Sequence, residues 1–139
     1  MPDARAVVVR VGDTEIARTR NAVRVLETAS PPTFYLPLAD IRSEFLEAAS
    51  GASGCEWKGE ARYWTVVAAG TRLDRVAWSY PDPLPGFEAI RSALSFYPGR
   101  IACYVEDIRV APQPGGFYGG WITPEVTGPF KGDGGTSAW

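Results

Sequence analysis

The sequence predicts a mainly β fold: a single compact domain of short antiparallel strands with one or two short α-helices. Of its 139 residues, 15 are glycine and 12 are proline, which favours many turns over long helices. Residues 61–68 and 71–80 consist largely of types that suit a pleated strand, and Ala69-Gly70 between them supplies a turn. We therefore expect a turn-rich domain organised around this central hairpin.

The alternation of apolar residues in the second of these runs changes partway along. Leu73 has the opposite parity from Val76 and Trp78, so the pattern slips by one position near Asp74-Arg75. A slip of this kind is typical of a β-bulge, where one strand carries additional residues relative to its partner. We expect a bulge in the central hairpin at this point.

Shorter alternating runs predict further strands on both sides of the central hairpin. Residues 6–11 and 14–17 are joined by Gly12-Asp13, which is a short hairpin signal. The segment Ser30-Pro31-Pro32 is expected to end the strand before it, and Glu106-Asp107 is expected to form a turn. The remaining strand candidates are residues 23–27, 33–36, 101–105 and 108–110.

Two segments show the spacing of three to four residues that is typical of an amphipathic helix. The first is 40–49, where Asp40 would cap the helix and Ile41 and Phe45 would face the core. Residues 50–54 would then form a small flexible loop. The second is 87–97, with apolar residues at Phe87, Ile90, Leu94 and Tyr97.

Composition and charge exclude several classes of function. The net charge is −2 with both signs interspersed, so no basic patch is available for a nucleic acid. No apolar run is long enough for a signal peptide or a membrane helix, and we expect a bacterial cytoplasmic protein without a membrane partner. Cys55 and Cys103 are then expected to be free thiols. The absence of histidine argues against a metal site and against Ser-His or Cys-His catalysis, and no cofactor is expected.

Three motifs carry a resemblance to a known family. Residues 55–64 read Cys-Glu-Trp-Lys-Gly-Glu-Ala-Arg-Tyr-Trp, residues 77–84 read Ala-Trp-Ser-Tyr-Pro-Asp-Pro-Leu, and residues 96–101 read Phe-Tyr-Pro-Gly-Arg-Ile. Together they resemble the domain of unknown function 427 family over residues 23–110. The resemblance implies a single domain of small coiled antiparallel sheets, tent-like or barrel-like. Glu56 stands where family members typically have proline.

The resemblance brings no established reaction. A nucleotidyltransferase label is sometimes attached to the family. That chemistry uses a Gly-Ser loop followed by an Asp-x-Asp pair that holds two magnesium ions, and neither motif occurs in this sequence.

The Cys-x-x-Lys-Gly motif supplies the candidate catalytic residues Cys55, Lys58 and Glu60. An ammonium near the thiol would lower the pKa of Cys55 and produce a nucleophilic thiolate. The alternative is that Cys55 is a small buried residue and Lys58 a solvated turn residue. The sequence leaves both alternatives open.

Aromatic and charged residues near this motif are candidate ligand-binding residues. Rings on the central strands would stack on a flat ligand, although strand aromatics also serve as core. Asp82 lies between two prolines and Arg100 follows a Pro-Gly turn, so the two would either clamp an anionic or polar substrate or pair only with each other as a structural bridge. The full set of ligand-binding candidates is Tyr63, Trp64, Trp78, Tyr80, Asp82, Tyr97 and Arg100.

The C-terminal segment differs in composition from the rest of the chain. We expect residues 1–110 to form the domain and residues 111–139, rich in glycine, proline and aromatics, to form an extension. Its aromatic residues would pack on their own domain or on a second copy of the chain, or the segment would be disordered.

Three functions are compatible with these features. The first is a small-molecule-binding protein whose polar and aromatic pocket surrounds the Cys-x-x-Lys-Gly motif, with enzymatic activity left open. The second is a nucleophilic or acid-base enzyme in which Cys55 or Lys58 reacts covalently. The third is a protein interaction module without catalysis that forms a homodimer or binds a partner through the C-terminal extension.

Overall fold

A computed structural model describes residues 2–27, 30–55, 59–83, 85–112 and 120–123. Within these ranges the regular secondary structure is β-strand, apart from three short 3₁₀ turns. The strands are β1 (Pro2–Asp3), β2 (Val7–Val11), β3 (Thr14–Thr19), β4 (Ala22–Glu27), β5 (Ser30–Pro37), β6 (Leu46–Cys55), β7 (Gly59–Ala68), β8 (Thr71–Ser79), β9 (Ala93–Phe96), β10 (Ala102–Val105), β11 (Ile108–Arg109), β12 (Ala111–Pro112) and β13 (Trp121–Ile122).

The strands form three antiparallel sheets. The largest has seven strands in the order β1-β4-β5-β9-β8-β7-β6, the second has the order β11-β10-β2-β3, and the third pairs β12 with β13. In the described part of the chain the large sheet has different strands at its two edges, so it does not close into a barrel. The predicted mainly β, antiparallel fold is confirmed, and its barrel-like variant is excluded.

The central hairpin is confirmed, including its bulge. Strands β7 and β8 pair through Tyr63 opposite Trp78 and Trp64 opposite Ala77, and the turn between them has positive φ at Ala69 and Gly70. Beyond Trp64 the register shifts, because Val66 pairs with Leu73. One residue of β7 therefore faces three of β8, at the Asp74-Arg75 position where the parity slips in the sequence.

The helix predicted over 40–49 is wrong. The chain instead makes short 3₁₀ turns at Leu38–Asp40 and Ser43–Phe45 and then enters β6. Ile41 forms an isolated bridge with Ala17, which holds this segment extended. The loop predicted over 50–54 is likewise part of β6, because Ala52, Ser53 and Gly54 pair with β7.

The helix predicted over 87–97 is also wrong. A 3₁₀ turn at Glu88–Ile90 precedes strand β9, which pairs with β5 on one side and β8 on the other. All four residues of β9 are buried, because both faces of this central strand are covered. No α-helix occurs in the described residues.

The proline pair does not interrupt the chain as expected. Pro31 and Pro32 lie within β5, near the end where β4 and β5 pair irregularly. Strand β5 ends at Pro37, which pairs with Ala93. Both hairpins predicted at Gly12-Asp13 and Glu106-Asp107 are present, with positive φ at Gly12, Glu106 and Asp107.

Two hydrophobic clusters cover opposite faces of the seven-stranded sheet. The larger one joins this sheet to the four-stranded sheet and contains Val9, Phe34 and Phe96. The smaller one is rich in tyrosine and tryptophan and includes Tyr35, Trp78 and Tyr80, with Tyr63, Phe87 and Tyr97 packed against it. This second, aromatic cluster lies on the side of the sheet where several candidate site residues occur.

Part of the C-terminal extension is described. Trp121 is fully buried, its ring lies 5.1 Å from that of Phe34, and its indole N–H donates a hydrogen bond to the carbonyl of Phe96 at 2.9 Å. Residues 113–119 and 124–139 lie outside the described residues, including Phe117, Tyr118, Phe130 and Trp139. The packing proposed for the whole extension therefore stays a prediction.

None of the helical segments in the described ranges is long and apolar enough to cross a membrane.

Candidate functional site

The structure separates the predicted aromatic residues onto two faces of the central hairpin. Tyr63 and Trp78 face each other across the strands and lie in the aromatic cluster. Trp64 projects from the opposite face, where its ring packs against the larger core and its indole N–H donates to the hydroxyl of Ser79 at 2.9 Å. Tyr63 and Trp64 thus belong to different environments.

The aromatic cluster is centred on Trp78. Its ring lies 4.5 Å from that of Tyr97 and 6.1 Å from that of Tyr35, and its indole N–H donates to the Tyr35 hydroxyl at 3.2 Å. Tyr80 lies 6.4 Å from Tyr35 by ring centres. Trp78 and Tyr80 are each only 7% exposed, so they form the buried part of the cluster. Tyr63 and Tyr97 are half-buried and form its accessible edge.

The bulge in β8 places a charged residue at this edge. Arg75 has φ of +51°, in the left-handed region that non-glycine residues rarely adopt. Its backbone N–H donates to the hydroxyl of the buried Thr65 at 3.2 Å. Because the bulge inserts residues at this point, the Arg75 side chain returns over the ring of Tyr63, with its guanidinium carbon 4.2 Å from the ring centre.

A second arginine adopts the same arrangement beside the first. The guanidinium carbon of Arg100 lies 4.3 Å from the centre of the Tyr97 ring, and its Nη1 donates to the carbonyl oxygen of Arg75 at 3.0 Å. The Pro98–Gly99 turn that precedes Arg100 is fixed by a hydrogen bond from the Arg100 N–H to the Tyr97 carbonyl at 2.9 Å. Two guanidiniums and two tyrosine rings therefore form one surface, which we call the arginine–tyrosine edge: Tyr63, Arg75, Tyr97 and Arg100.

The electrostatics of this edge act in opposite directions on one phenol. Burial and the neighbouring Tyr63 raise the pKa of Tyr97, while the positive charges of Arg100 and Arg75 partly offset this effect. Tyr97 consequently remains a neutral hydroxyl at physiological pH, which is the form that can donate a hydrogen bond.

Asp82 does not belong to this edge. It is exposed and forms its ion pair with Arg91, whose Nη1 lies 3.5 Å from Asp82 Oδ1. Arg91 also donates to the carbonyl of Pro81 at 3.2 Å. The structure thus gives Asp82 a partner other than Arg100.

The Cys-x-x-Lys-Gly motif lies at the end of the neighbouring hairpin. Cys55 is the last residue of β6 and pairs with Gly59, the first residue of β7. Lys58 and the side chains of Cys55 and Glu60 lie outside the described part of the structure. Tyr63 follows Gly59 by four residues on β7, which corresponds to about 13 Å along the strand. Whether the motif and the arginine–tyrosine edge form one site stays a prediction.

Sequence reasoning missed Arg75 and Thr65. The parity slip near Asp74-Arg75 predicted the bulge but not its consequence for the Arg75 side chain. The presence of a large non-glycine residue at a predicted bulge is a signal that would have identified Arg75. Bulges redirect side chains and often occur next to functional sites.

The described residues provide no metal centre: no three His, Cys, Asp or Glu side chains among them lie close enough to hold an ion. The other cysteine, Cys103, is a free, fully buried thiol in β10. Burial raises the pKa of Cys103 far above its ordinary value, so it is not a nucleophile.

Comparison with known proteins identifies a family but no characterised relative. No curated protein matches the chain. A family model described as "Domain of unknown function (DUF427)" matches residues 1–107, which includes the first hairpin, all three motifs and the complete arginine–tyrosine edge. This match covers most of the chain, and the chain therefore belongs to the DUF427 family.

Proposed function

We propose that the protein binds a small molecule that combines a carboxylate or similar anionic group with a flat ring, and that it does so at the arginine–tyrosine edge. The observation that carries this proposal is the pair of guanidiniums, those of Arg75 and Arg100, each of which lies within 4.3 Å of a tyrosine ring centre. The Arg100 guanidinium also donates to the backbone carbonyl of Arg75.

The chemistry of the edge favours such a ligand. Arginine presents its N–H groups in a planar fork that matches the two oxygens of a carboxylate. Stacking on Tyr63 and Tyr97 orients both guanidinium planes. The tyrosine hydroxyls add further donors, and the ring edges of the cluster supply apolar contact.

The backbone at Arg75 supports the same conclusion. A residue held at positive φ costs about 1 kcal/mol or more, and such strain is concentrated at binding and catalytic sites. Thr65 and Arg100 hold the backbone of Arg75 from both its N–H and its carbonyl. The position is thus fixed at an energetic cost, and orienting a ligand-binding guanidinium would explain that cost.

The Cys-x-x-Lys-Gly motif would give this site a reactive group if it extends to the end of the β6–β7 hairpin. In the proposed cytoplasmic setting, Cys55 would be a free thiol with Lys58 and Glu60 as candidate proton-transfer residues. Catalysis would then require a ligand that reaches about 13 Å from Tyr63. Binding at the arginine–tyrosine edge does not depend on this step.

The test uses benzoate, which carries one carboxylate and one ring, and benzamide, which has the same ring without the charge. We expect benzoate to bind with a dissociation constant of about 1 mM or below, and benzamide at least tenfold more weakly, because a charge-assisted hydrogen bond contributes about 1.5–3 kcal/mol. Two-dimensional NMR with ¹⁵N-labelled protein measures both affinities and shows which residues respond.

Variants assign the binding to the proposed residues. Arg100→Gln and Tyr97→Leu should weaken benzoate binding by about tenfold. Arg91→Gln is the matched control, because Arg91 is an exposed arginine paired with Asp82 outside the edge. Equal affinity of the Arg100→Gln variant and the wild type for benzoate would reject the proposal.

A further inference from the structure

A second cluster of arginine and tyrosine lies on the outer face of the four-stranded sheet. Tyr104 on β10 pairs with Val8 on β2 and with Arg109 on β11. The guanidinium carbon of Arg10 lies 4.4 Å from the centre of the Tyr104 ring, and that of Arg109 lies 5.8 Å from it. This face is opposite to the one that Val9, Cys103 and Val105 bury in the core, so the cluster is separate from the arginine–tyrosine edge.

The cluster borders a small polar hollow. A cavity of about 100 Å³ opens between β2, β3 and β10 and is lined by Val8, Arg10, Arg18, Tyr104 and Asp107. Its volume corresponds to about three water molecules. A group of this size is a single oxyanion, not a whole metabolite.

The charges around the hollow are only partly paired. Arg18 forms an ion pair with Glu15 on the same strand. Arg10 and Arg109 form no ion pair with any residue in the described ranges, and Nε of Arg10 is buried there without a hydrogen-bond partner. Of these two guanidiniums only that of Arg10 lines the hollow, together with the carboxylate of Asp107, whereas Arg109 lies on β11, on the other side of Tyr104. The ring of Tyr104 is therefore flanked by two guanidiniums that have no ion pair in the described ranges.

The two guanidiniums also change the pKa of the Tyr104 phenol. A hydrogen bond from Arg10, together with the charges of Arg10 and Arg109, lowers the pKa of Tyr104, and burial opposes the change only partly. The cluster thus stabilises negative charge at the ring hydroxyl, and a bound anion would experience the same field.

We propose that Arg10, Tyr104 and Arg109 form a second binding site, which takes one small oxyanion group, either a phosphate or a carboxylate. The guanidiniums of Arg10 and Arg109 supply the charge and the forked donors, and the Tyr104 hydroxyl supplies a further donor. Asp107 at the rim disfavours more highly charged ligands. This site is independent of the function proposed above, because none of its residues belongs to the arginine–tyrosine edge.

The test titrates ¹⁵N-labelled protein with inorganic phosphate and, in a parallel experiment, with acetate. We expect at least one of the two anions to shift the amide signals of Arg10, Tyr104 and Arg109 with a dissociation constant of about 1 mM or below. The anion that binds more tightly identifies the oxyanion. Arg10→Gln and Arg109→Gln should each weaken that binding by about tenfold, while Arg91→Gln, which removes the same charge from an exposed arginine outside both sites, should leave it unchanged.

A spectroscopic measurement separates direct binding from a structural effect of the variants. An anion bound beside the phenol should raise the pKa of Tyr104, seen as the difference in ultraviolet phenolate absorbance between the wild type and Tyr104→Phe. The proposal is overturned if neither anion shifts these signals, if both arginine variants bind the anion as the wild type does, or if the Tyr104 titration is the same with and without it.

Discussion

At the scale of single residues, Arg75 connects the fold to the proposed function. Its positive φ is unusual for a residue with a large side chain. It occurs in the bulge, where three residues of β8 lie opposite one residue of β7. The same backbone conformation directs the guanidinium over Tyr63. Stability and ligand binding should therefore respond differently when this position is changed.

We predict that Arg75→Gly is more stable than Arg75→Ala by about 1 kcal/mol, because glycine adopts positive φ without the steric cost that alanine shares with arginine. Both variants lack the guanidinium and should lose benzoate binding alike. Urea denaturation measures the first difference and NMR titration the second. An alanine variant at least as stable as the glycine variant would show that the backbone at position 75 is not strained.

At the scale of elements, the sequence predicted strands best where residues that suit strands flank a clear turn signal. The central hairpin and the hairpin at Gly12-Asp13 have such turns, and both were predicted correctly. Strand β9 is buried on both faces, so its apolar residues joined those of the preceding 3₁₀ turn in a helix-like spacing. Strand β6 is rich in alanine, serine and glycine, and only its pairing with β7 makes it a strand.

The candidate site was likewise only partly predictable from the sequence. Tyr63, Tyr97 and Arg100 were chosen from the sequence as aromatic or rigidly presented residues, and the structure brings these three together. The sequence could not show that Trp64 faces the opposite side, because the side of a strand that meets a ligand depends on the packing of the whole sheet. It also could not show where Arg75 points, because that depends on the register of the bulge.

One of the two hydrogen bonds that hold the Arg75 backbone in the bulge is accepted by the hydroxyl of Thr65. We predict that Thr65→Val lowers the free energy of unfolding by about 1 kcal/mol, because valine has a similar shape but cannot accept the hydrogen bond from the Arg75 N–H. Thr71→Val is the matched control on the neighbouring strand: Thr71 is exposed, and its change should stay within about 0.5 kcal/mol. Equal urea midpoints for the two variants would contradict this role of Thr65.

At the scale of the whole molecule, the two sheets enclose one cysteine while the other lies at a strand end. Cys103 is fully buried between the sheets with a raised pKa, whereas Cys55 ends β6 at the motif. Any rapid thiol reaction of the native protein must therefore occur at Cys55.

We predict that iodoacetamide leaves Cys103 unmodified in the native protein and modifies it after denaturation, because a buried thiol with a raised pKa contains little thiolate. Peptide mass spectrometry distinguishes the two cysteines. In the same experiment, labelling of Cys55 at a pH well below about 8.5 would support an activated thiolate, and slow labelling would remove the covalent mechanism. Native labelling of Cys103 would contradict its burial.

The interactions of Asp3 on the first strand make the stability of the fold depend on pH. Asp3 on β1 accepts hydrogen bonds from Arg5, with 2.8 Å between Asp3 Oδ2 and Arg5 Nη2, and lies 3.9 Å from Nε of Arg24 on β4. The hydrogen bonds from Arg5 and the charges of both arginines hold the pKa of Asp3 below its ordinary value, although burial opposes them. The stability that this carboxylate contributes is present above about pH 3.9 and is lost as the pH falls through the lowered pKa.

We therefore predict that Asp3→Asn is less stable than the wild type at neutral pH and that the difference disappears in acid. Urea denaturation between about pH 7 and pH 2 measures it. Arg20→Gln, at an exposed arginine with a long 4.0 Å ion pair, should show little effect at any pH. A difference between Asp3→Asn and the wild type that stays constant with pH would contradict the assignment.

We propose that Arg75 and Arg100, each stacked on a tyrosine ring, bind an anionic ring compound together. The most direct measurement follows the side-chain Nε–H signals of both arginines during a benzoate titration. We expect the two signals to shift together with one dissociation constant, and benzamide at the same concentration to move neither. Signals that remain fixed at saturating benzoate, or shifts confined to other parts of the protein, would contradict it.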